Sequence, residues 1–248
     1  MSRLVRYDRA VSADRAHAVI TLDSDRNRNA LSSQLLEELR AALNRAEDDD
    51  VLAIQLRAEG RAFCAGADLQ EAFREGMDVS AHRLAGVIRA ILSHPLPVIA
   101  RLHGPVRAGG LGIVAACDLA MACDDLTYAL TEARLGLTPA VISLSALPRM
   151  SARVARTTFL TAATFDSQLA LDSGLITHVV SREHLERATE DLTASLTAGE
   201  RQGLEATKRL PNADVLIYFD DRVDEMVSLS AALFGSETAR SHLAAFLR

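Results

Sequence analysis

The chain has 248 residues, 49% of them apolar, with few aromatic residues and no Trp. That is enough for one large domain with a substantial core, built on Ala and Leu as closely packed helices are. The formal charge of −6 argues against a general nucleic-acid binder, which presents a basic face. Cys64, Cys117 and Cys123 have no spaced framework and read as small buried thiols in a reducing compartment. Met1-Ser2-Arg3-Leu4 lacks the apolar run of a signal peptide. No stretch nears the roughly 20 apolar residues that span a bilayer. We therefore expect a cytoplasmic protein with no membrane contact.

In chain order, His17–Leu22 reads as a strand and Asp23–Asn29 as a polar loop. Ser32 or Ser33 then caps a helix to about Glu47, with Leu35, Leu36, Leu39, Ala42 and Leu43 on one face. Val51–Leu56 is a second strand. An amphipathic helix over Ala81–Leu92 ends before Pro95 and Pro97, which set up the strand Val98–Leu102. Leu111–Cys117 starts another helix, and Thr127–Leu130 is a short strand. This alternation predicts an α/β fold with crossover connections. Beyond Arg182 the chain reads as wholly helical, broken near Gly203 and Pro211, and forms a lid or an oligomerisation layer. We divide the chain into a core over residues 1–195 and a helical region over 196–248.

Two turns of small residues carry the chemistry. Arg61–Leu69 contains Ala65-Gly66-Ala67-Asp68, and His103–Gly112 contains Ala108-Gly109-Gly110. Such strand-to-helix turns leave backbone N–H groups bare, and two of them aimed at one point can hold a thioester oxygen as it gains negative charge. Asp68 stands where it can cap the following helix. Gly110-x-Gly112-x-x-Ala115 formally fits a dinucleotide fingerprint, but no strand with a terminal acid follows about 20 residues on. Glu132 sits among small and apolar residues, a setting that raises a carboxyl pKa toward neutrality. His82 and His94 read as surface or core residues, Asp118 as a tie in the turn after a helix. No histidine spacing suggests zinc, and no Gly-x-Ser-x-Gly appears.

Phe63–Leu69, Ala108-Gly109-Gly110 followed by Cys117-Asp118, and Glu132–Gly136 together resemble the enoyl-CoA hydratase/isomerase (crotonase) superfamily in order and spacing. The resemblance runs from about His17 to Val180. It implies a crotonase-type spiral of ββα turns with a C-terminal helical trimerisation region, assembled as a homotrimer or a dimer of trimers. It implies an acyl-CoA thioester substrate and no separate cofactor, coenzyme A entering as part of the substrate. By position, the oxyanion donors are the N–H groups of Ala67 and Gly109, and Glu132 is the acid/base. Arg26, Arg28, Ala30, Ala65, Asp68 and Leu69 match the coenzyme A contacts. Lys208 matches a lysine that reaches a neighbouring subunit's phosphates. Walls of the acyl pocket are expected from Phe73–Val87 and Pro139–Leu144.

One departure matters. Hydratases of this family carry a second glutamate three residues after the oxyanion glycine, and here that position is Gly112. A single carboxylate suits a double-bond shift, which needs one proton shuttle. The surroundings of Glu132 resemble hydratase-like members that lack the first glutamate, which keeps hydration ahead. An isomerase or a non-catalytic acyl-CoA binder are the alternatives.

Overall fold

The computed structural model describes residues 2–12 and 14–246. Strands β1 (Val5–Ser12) and β2 (Arg15–Leu22) form an antiparallel pair. β2 is the expected strand. β1 escapes an apolar-run search because it is an edge strand whose Arg6, Asp8 and Arg9 face solvent. Ser32 caps α1 (Ser33–Asp48), its hydroxyl accepting from the Leu35 N–H at 3.3 Å, and the five predicted apolar positions are buried. β3 (Ile54–Ala58) starts three residues later than expected, where Ile54 comes into register with Ala18.

α2 (Leu69–Glu75) and α3 (Met77–Ser93) follow, and α3 starts a turn earlier than its apolar face suggested. Next come β4 (Val98–Leu102), β5 (Val106–Arg107), α4 (Gly109–Ala116), β6 (Leu119–Cys123) and β7 (Thr127–Ala129). A 3-10 turn spans Glu132–Leu135. The chain then runs through α5 (Ala140–Ala146), α6 (Ala152–Thr161), β8 (Phe165–Asp166), α7 (Ser167–Ser173) and β9 (His178–Val180). It ends in α8 (Leu185–Thr197), α9 (Arg201–Phe234) and α10 (Glu237–Phe246).

The larger sheet has the order β1-β2-β3-β4-β6-β9 and is parallel from β2 onward. A smaller sheet holds β5-β7-β8. β3 and β4 are parallel neighbours, so the turns that leave them emerge at the same sheet edge. This places two distant stretches of sequence side by side. α3 packs against α1, α4 and α9, and α9 also covers α5. Among the described residues no helix is long and apolar enough to cross a membrane.

The expected breaks near Gly203 and Pro211 do not occur, since α9 is continuous through both. Gly203 lies in the first turn, with nothing near its missing Cβ. Pro211 is exposed, while Lys208 and Asn212 beside it are buried and hold the helix on the core. Packing has overridden the local signal. A proline inside a helix costs about 3 kcal/mol relative to alanine, offset by about 0.4–1 kcal/mol of unfolded-chain entropy. Pro211→Ala is therefore expected to stabilise the fold by about 2 kcal/mol, raising the melting temperature by roughly 4–8 °C. A lower melting temperature would show that the proline shapes a bend the packing needs.

Candidate functional site

The two signature turns are stitched together backbone to backbone. Cys64 bridges Val106, and the Arg107 N–H donates to the Cys64 carbonyl at 2.9 Å. Gly66 has φ 94°, a conformation that favours glycine, and a Cβ there would stand 2.8 Å from the Ala108 Cβ. Ala108 itself has φ 46°, strained for a residue with a side chain. That strain turns the chain sharply before α4, so the Gly109 N–H leads the helix. An amide at a helix start has no partner within the helix. Neither the Gly109 N–H nor the Ala67 N–H has a hydrogen-bond partner among the described residues.

Both residues line one cavity of about 550 Å³, and Glu132 lines it too. The Ala108 N–H donates to the Ala129 carbonyl at 3.0 Å, which ties the second turn to the strand that delivers Glu132. The Glu132 Oε2 is buried and without a partner. Burial pushes its pKa up to about 7, against a smaller opposing pull from a backbone N–H. A carboxyl poised near neutrality can take or give a proton at the operating pH. Asp68 also lines the cavity, but its Oδ1 caps α2 by accepting from the Glu71 N–H at 3.0 Å. Glu132 is thus the uncommitted carboxylate of the lining.

The wall is largely apolar. Met77, Ala81 and Leu84 come from α3, and Val141 and Ile142 from α5, as the two expected segments require. Leu31 and Leu36, Leu135 and Leu137, and Ser230 of α9 complete it and were not anticipated. A satellite apolar cluster at the rim joins Ala72, Phe234, Ala239 and Leu243, with Leu69 and Leu135 packed against it. The end of α9 and the start of α10 therefore fold over this chain's own site.

The position of the missing carboxylate is closed. A Cβ on Gly112 would stand 3.0 Å from Ile88 Cδ1 and 3.4 Å from the Ile142 Cα. The Ser145 hydroxyl donates to the Gly112 carbonyl at 2.8 Å. Two isoleucines fill the space in place of an acid.

Of the expected coenzyme A contacts, Arg28, Ala30, Ala65, Asp68 and Leu69 line the cavity, and Arg26 sits in a 3-10 turn over Asp25–Asn27, outside the lining. Arg28 and Asn29 both have positive φ, 58° and 54°. Buried Asn29 holds the loop in place, its Nδ2 donating to the Glu59 and Ala62 carbonyls at 2.9 Å. Lys208 is a correction. It is buried, with Nζ 2.7 Å from Asp118 Oδ2 and donating to the Ile91 and Leu96 carbonyls. A lysine so held inside its own chain cannot extend to a neighbour's ligand. Asp118 has the tying role expected of it, its Oδ2 accepting from the Val98 N–H at 2.7 Å. His94 is a core residue bonded to the Leu43 carbonyl, and His82 is exposed.

A family model described as enoyl-CoA hydratase/isomerase matches residues 13–245. The chain belongs to this family. The mouse mitochondrial enoyl-CoA hydratase domain-containing protein 3 is 36% identical over 190 residues, 73% of this chain and 62% of that protein. The chain thus spans less than two thirds of that relative. The crystal structure of an enoyl-CoA hydratase from Mycobacterium avium superposes with a TM-score of 0.92 at 42% identity, covering 100% of this chain and 97% of the other. An Mtb enoyl-CoA isomerase superposes with a TM-score of 0.83 at 26% identity, covering 92% and 99%. The family's members share the crotonase fold, which is the fold of this chain.

Proposed function

We propose that this chain adds water to a 2-enoyl-CoA thioester, with Ala67 and Gly109 N–H groups holding the carbonyl oxygen and Glu132 moving the protons. The observation that carries the reading is that two unpaired amides and a carboxyl with one oxygen lacking a partner line a single cavity. Glu132 takes a proton from water as its oxygen bonds to Cβ. The electrons of the double bond move onto the thioester oxygen, and the enolate is held by the two amides. The proton then passes to Cα, so the product gains one water and the carboxylate is regenerated. Each amide is worth about 10²–10³ in rate, because it strengthens as charge develops on the oxygen. Arg28 and the Ala65–Leu69 ledge would take the coenzyme A arm, and the apolar walls the acyl group.

A second reading, isomerisation of a 3-enoyl-CoA, is favoured by the filled position at Gly112. Here Glu132 removes an α-proton, the dienolate is held by the same amides, and the proton returns at the γ-carbon. Relatives are named for both reactions. Incubation with crotonyl-CoA and with a 3-enoyl-CoA separates them. Loss of conjugated absorbance with formation of a 3-hydroxyacyl ester supports hydration, and gain of conjugated absorbance from the 3-enoyl ester supports isomerisation. Binding of acyl-CoA with neither change overturns the enzymatic reading in favour of a silent binder.

Gly66→Ala tests the amide pair. The new methyl is strained at this φ and meets Ala108, so the turns must part. Turnover is expected to fall about 10²-fold with the circular dichroism spectrum unchanged. Activity within threefold of the parent protein would count against the paired amides. Assembly as a homotrimer or a dimer of trimers belongs to the same proposal. It is supported by exposed Leu210, Ile217 and Leu229 along α9, at 78%, 61% and 40% exposure. Sedimentation at three or six chain masses is expected, and a monomer would contradict it.

A further inference from the structure

One side chain beside the amide pair is unaccounted for by packing alone. Arg107 directly precedes the strained Ala108 and the Gly109 amide. Its Nη1 donates to the carbonyls of Val106 at 3.0 Å and Thr127 at 2.5 Å, and its Nη2 donates to the Thr127 hydroxyl at 2.8 Å. Its backbone N–H donates to the Cys64 carbonyl, and it pairs with Ala129 across β5 and β7. A Cβ on Gly66 would meet its carbonyl oxygen at 3.4 Å, so the same residue also abuts the first turn. No carboxylate among the described residues neutralises it, and burial disfavours its charge. A half-buried guanidinium without a counter-ion is costly, and an aliphatic side chain would fill the space more cheaply. The five donors of a guanidinium lie in a rigid plane, which suits a clamp between two strands.

We propose that Arg107 is a positioning residue that sets the two-amide cradle, by clamping β5 to β7 so that the Gly109 N–H stands in register with the Ala67 N–H and with Glu132. This inference rests on the acyl-CoA reading above and deepens it. Through Arg107 the first turn, the second turn and the strand leading to Glu132 share one point of attachment. Loosening that point moves the amides relative to each other while the cavity walls stay in place. Arg107 therefore governs polarisation of the bound carbonyl and not the hold on coenzyme A.

The test is a spectroscopic one. A 2-enoyl-CoA conjugated to an aryl ring absorbs at longer wavelength when its thioester carbonyl is polarised by hydrogen-bond donors. The parent protein is expected to shift this absorbance to the red, and Glu132→Gln to keep the shift. Arg107→Leu is expected to lose most of it and to lower kcat about 10- to 100-fold with KM changed less than threefold. Arg107→Lys, which keeps a donor but not the fork, should restore part of both. Thr127→Val removes one acceptor without changing size and should act in the same direction with a smaller effect, so the idea stays testable if Arg107→Leu does not fold. A full red shift and kcat within twofold of the parent in Arg107→Leu, or in Thr127→Val should Arg107→Leu not fold, would overturn the inference while leaving the acyl-CoA reading standing. Binding of the ester by the parent protein with no red shift would instead overturn the reading itself, and the inference with it.

Discussion

Glu132→Gln should lose about 10³-fold or more in kcat while binding an acyl-CoA almost as tightly as the parent, since general acid–base groups contribute about 10²–10⁴. The substitution keeps the shape of the side chain but replaces a carboxyl oxygen with an amide nitrogen, so the group no longer ionises or carries a proton. A second signature comes from pH. As a base toward water, Glu132 must be ionised, so kcat/KM should fall as pH drops through about 7. The same shift has a consequence for stability. The folded-state pKa lies above the ordinary 4.5, so between these values the unfolded chain has released a proton that the folded chain retains. Stability is therefore lost as pH rises through that window, and the loss is complete above about 7. Glu132→Gln removes the group, so its melting temperature should exceed the parent's at pH 8 and match it at pH 4. Retained turnover would show that this carboxylate is not the proton carrier, and equal melting temperatures at pH 8 would show that burial does not hold its pKa up.

Breaking the Lys208–Asp118 pair should be the most damaging single change to stability. Their side chains are only 5% and 17% exposed, and the pair joins α9 to the end of α3 and the start of β4. Asn212 extends the tie, bonding Asp118 and the Leu92 carbonyl, and it accepts from Arg149 at 3.0 Å. Removing one partner strands the other charge in a poorly hydrated place, a loss of about 3–5 kcal/mol. Lys208→Met and Asp118→Asn are each expected to lower the melting temperature by roughly 6–20 °C. The double variant should lose markedly less than the sum, because neither charge is then left unpaired. Strict additivity in the double-mutant cycle would show that the two groups do not interact.

The parts of the candidate site that the sequence singles out are those that depend on local chemistry. A glycine at 66, small residues on either side of it, and a lone acid at 132 amid apolar residues each constrain their own surroundings. Periodicity likewise marked α1, and an apolar run behind Pro95 and Pro97 marked β4, because each buried face is written within one short stretch of chain. What escaped depends on partners far away in the chain. β1 is polar and needs β2 to be a strand. Pro211 looks like a helix end until α3 and α5 pack on α9 and the helix runs on through it. Lys208 looks like a surface lysine, because nothing near it in sequence predicts Asp118, ninety residues earlier, at 2.7 Å. Ser230 and Arg107 gain their meaning only when α9 and β7 arrive beside the site. The closure of Gly112 by Ile88 and Ile142 is of the same kind, since the substitution is visible in sequence and its filling is not.

The central claim is that amides from two separate turns meet one thioester oxygen with Glu132 facing the adjoining carbons. A crystal structure with a non-hydrolysable acyl-CoA analogue tests it most directly. The account predicts the carbonyl oxygen at about 2.7–3.1 Å from both the Ala67 and Gly109 nitrogens. It also predicts a Glu132 carboxyl oxygen within about 3–3.5 Å of Cα or Cβ. A carbonyl oxygen that touches neither amide, or a Glu132 side chain turned out to solvent with the ligand in place, would contradict it.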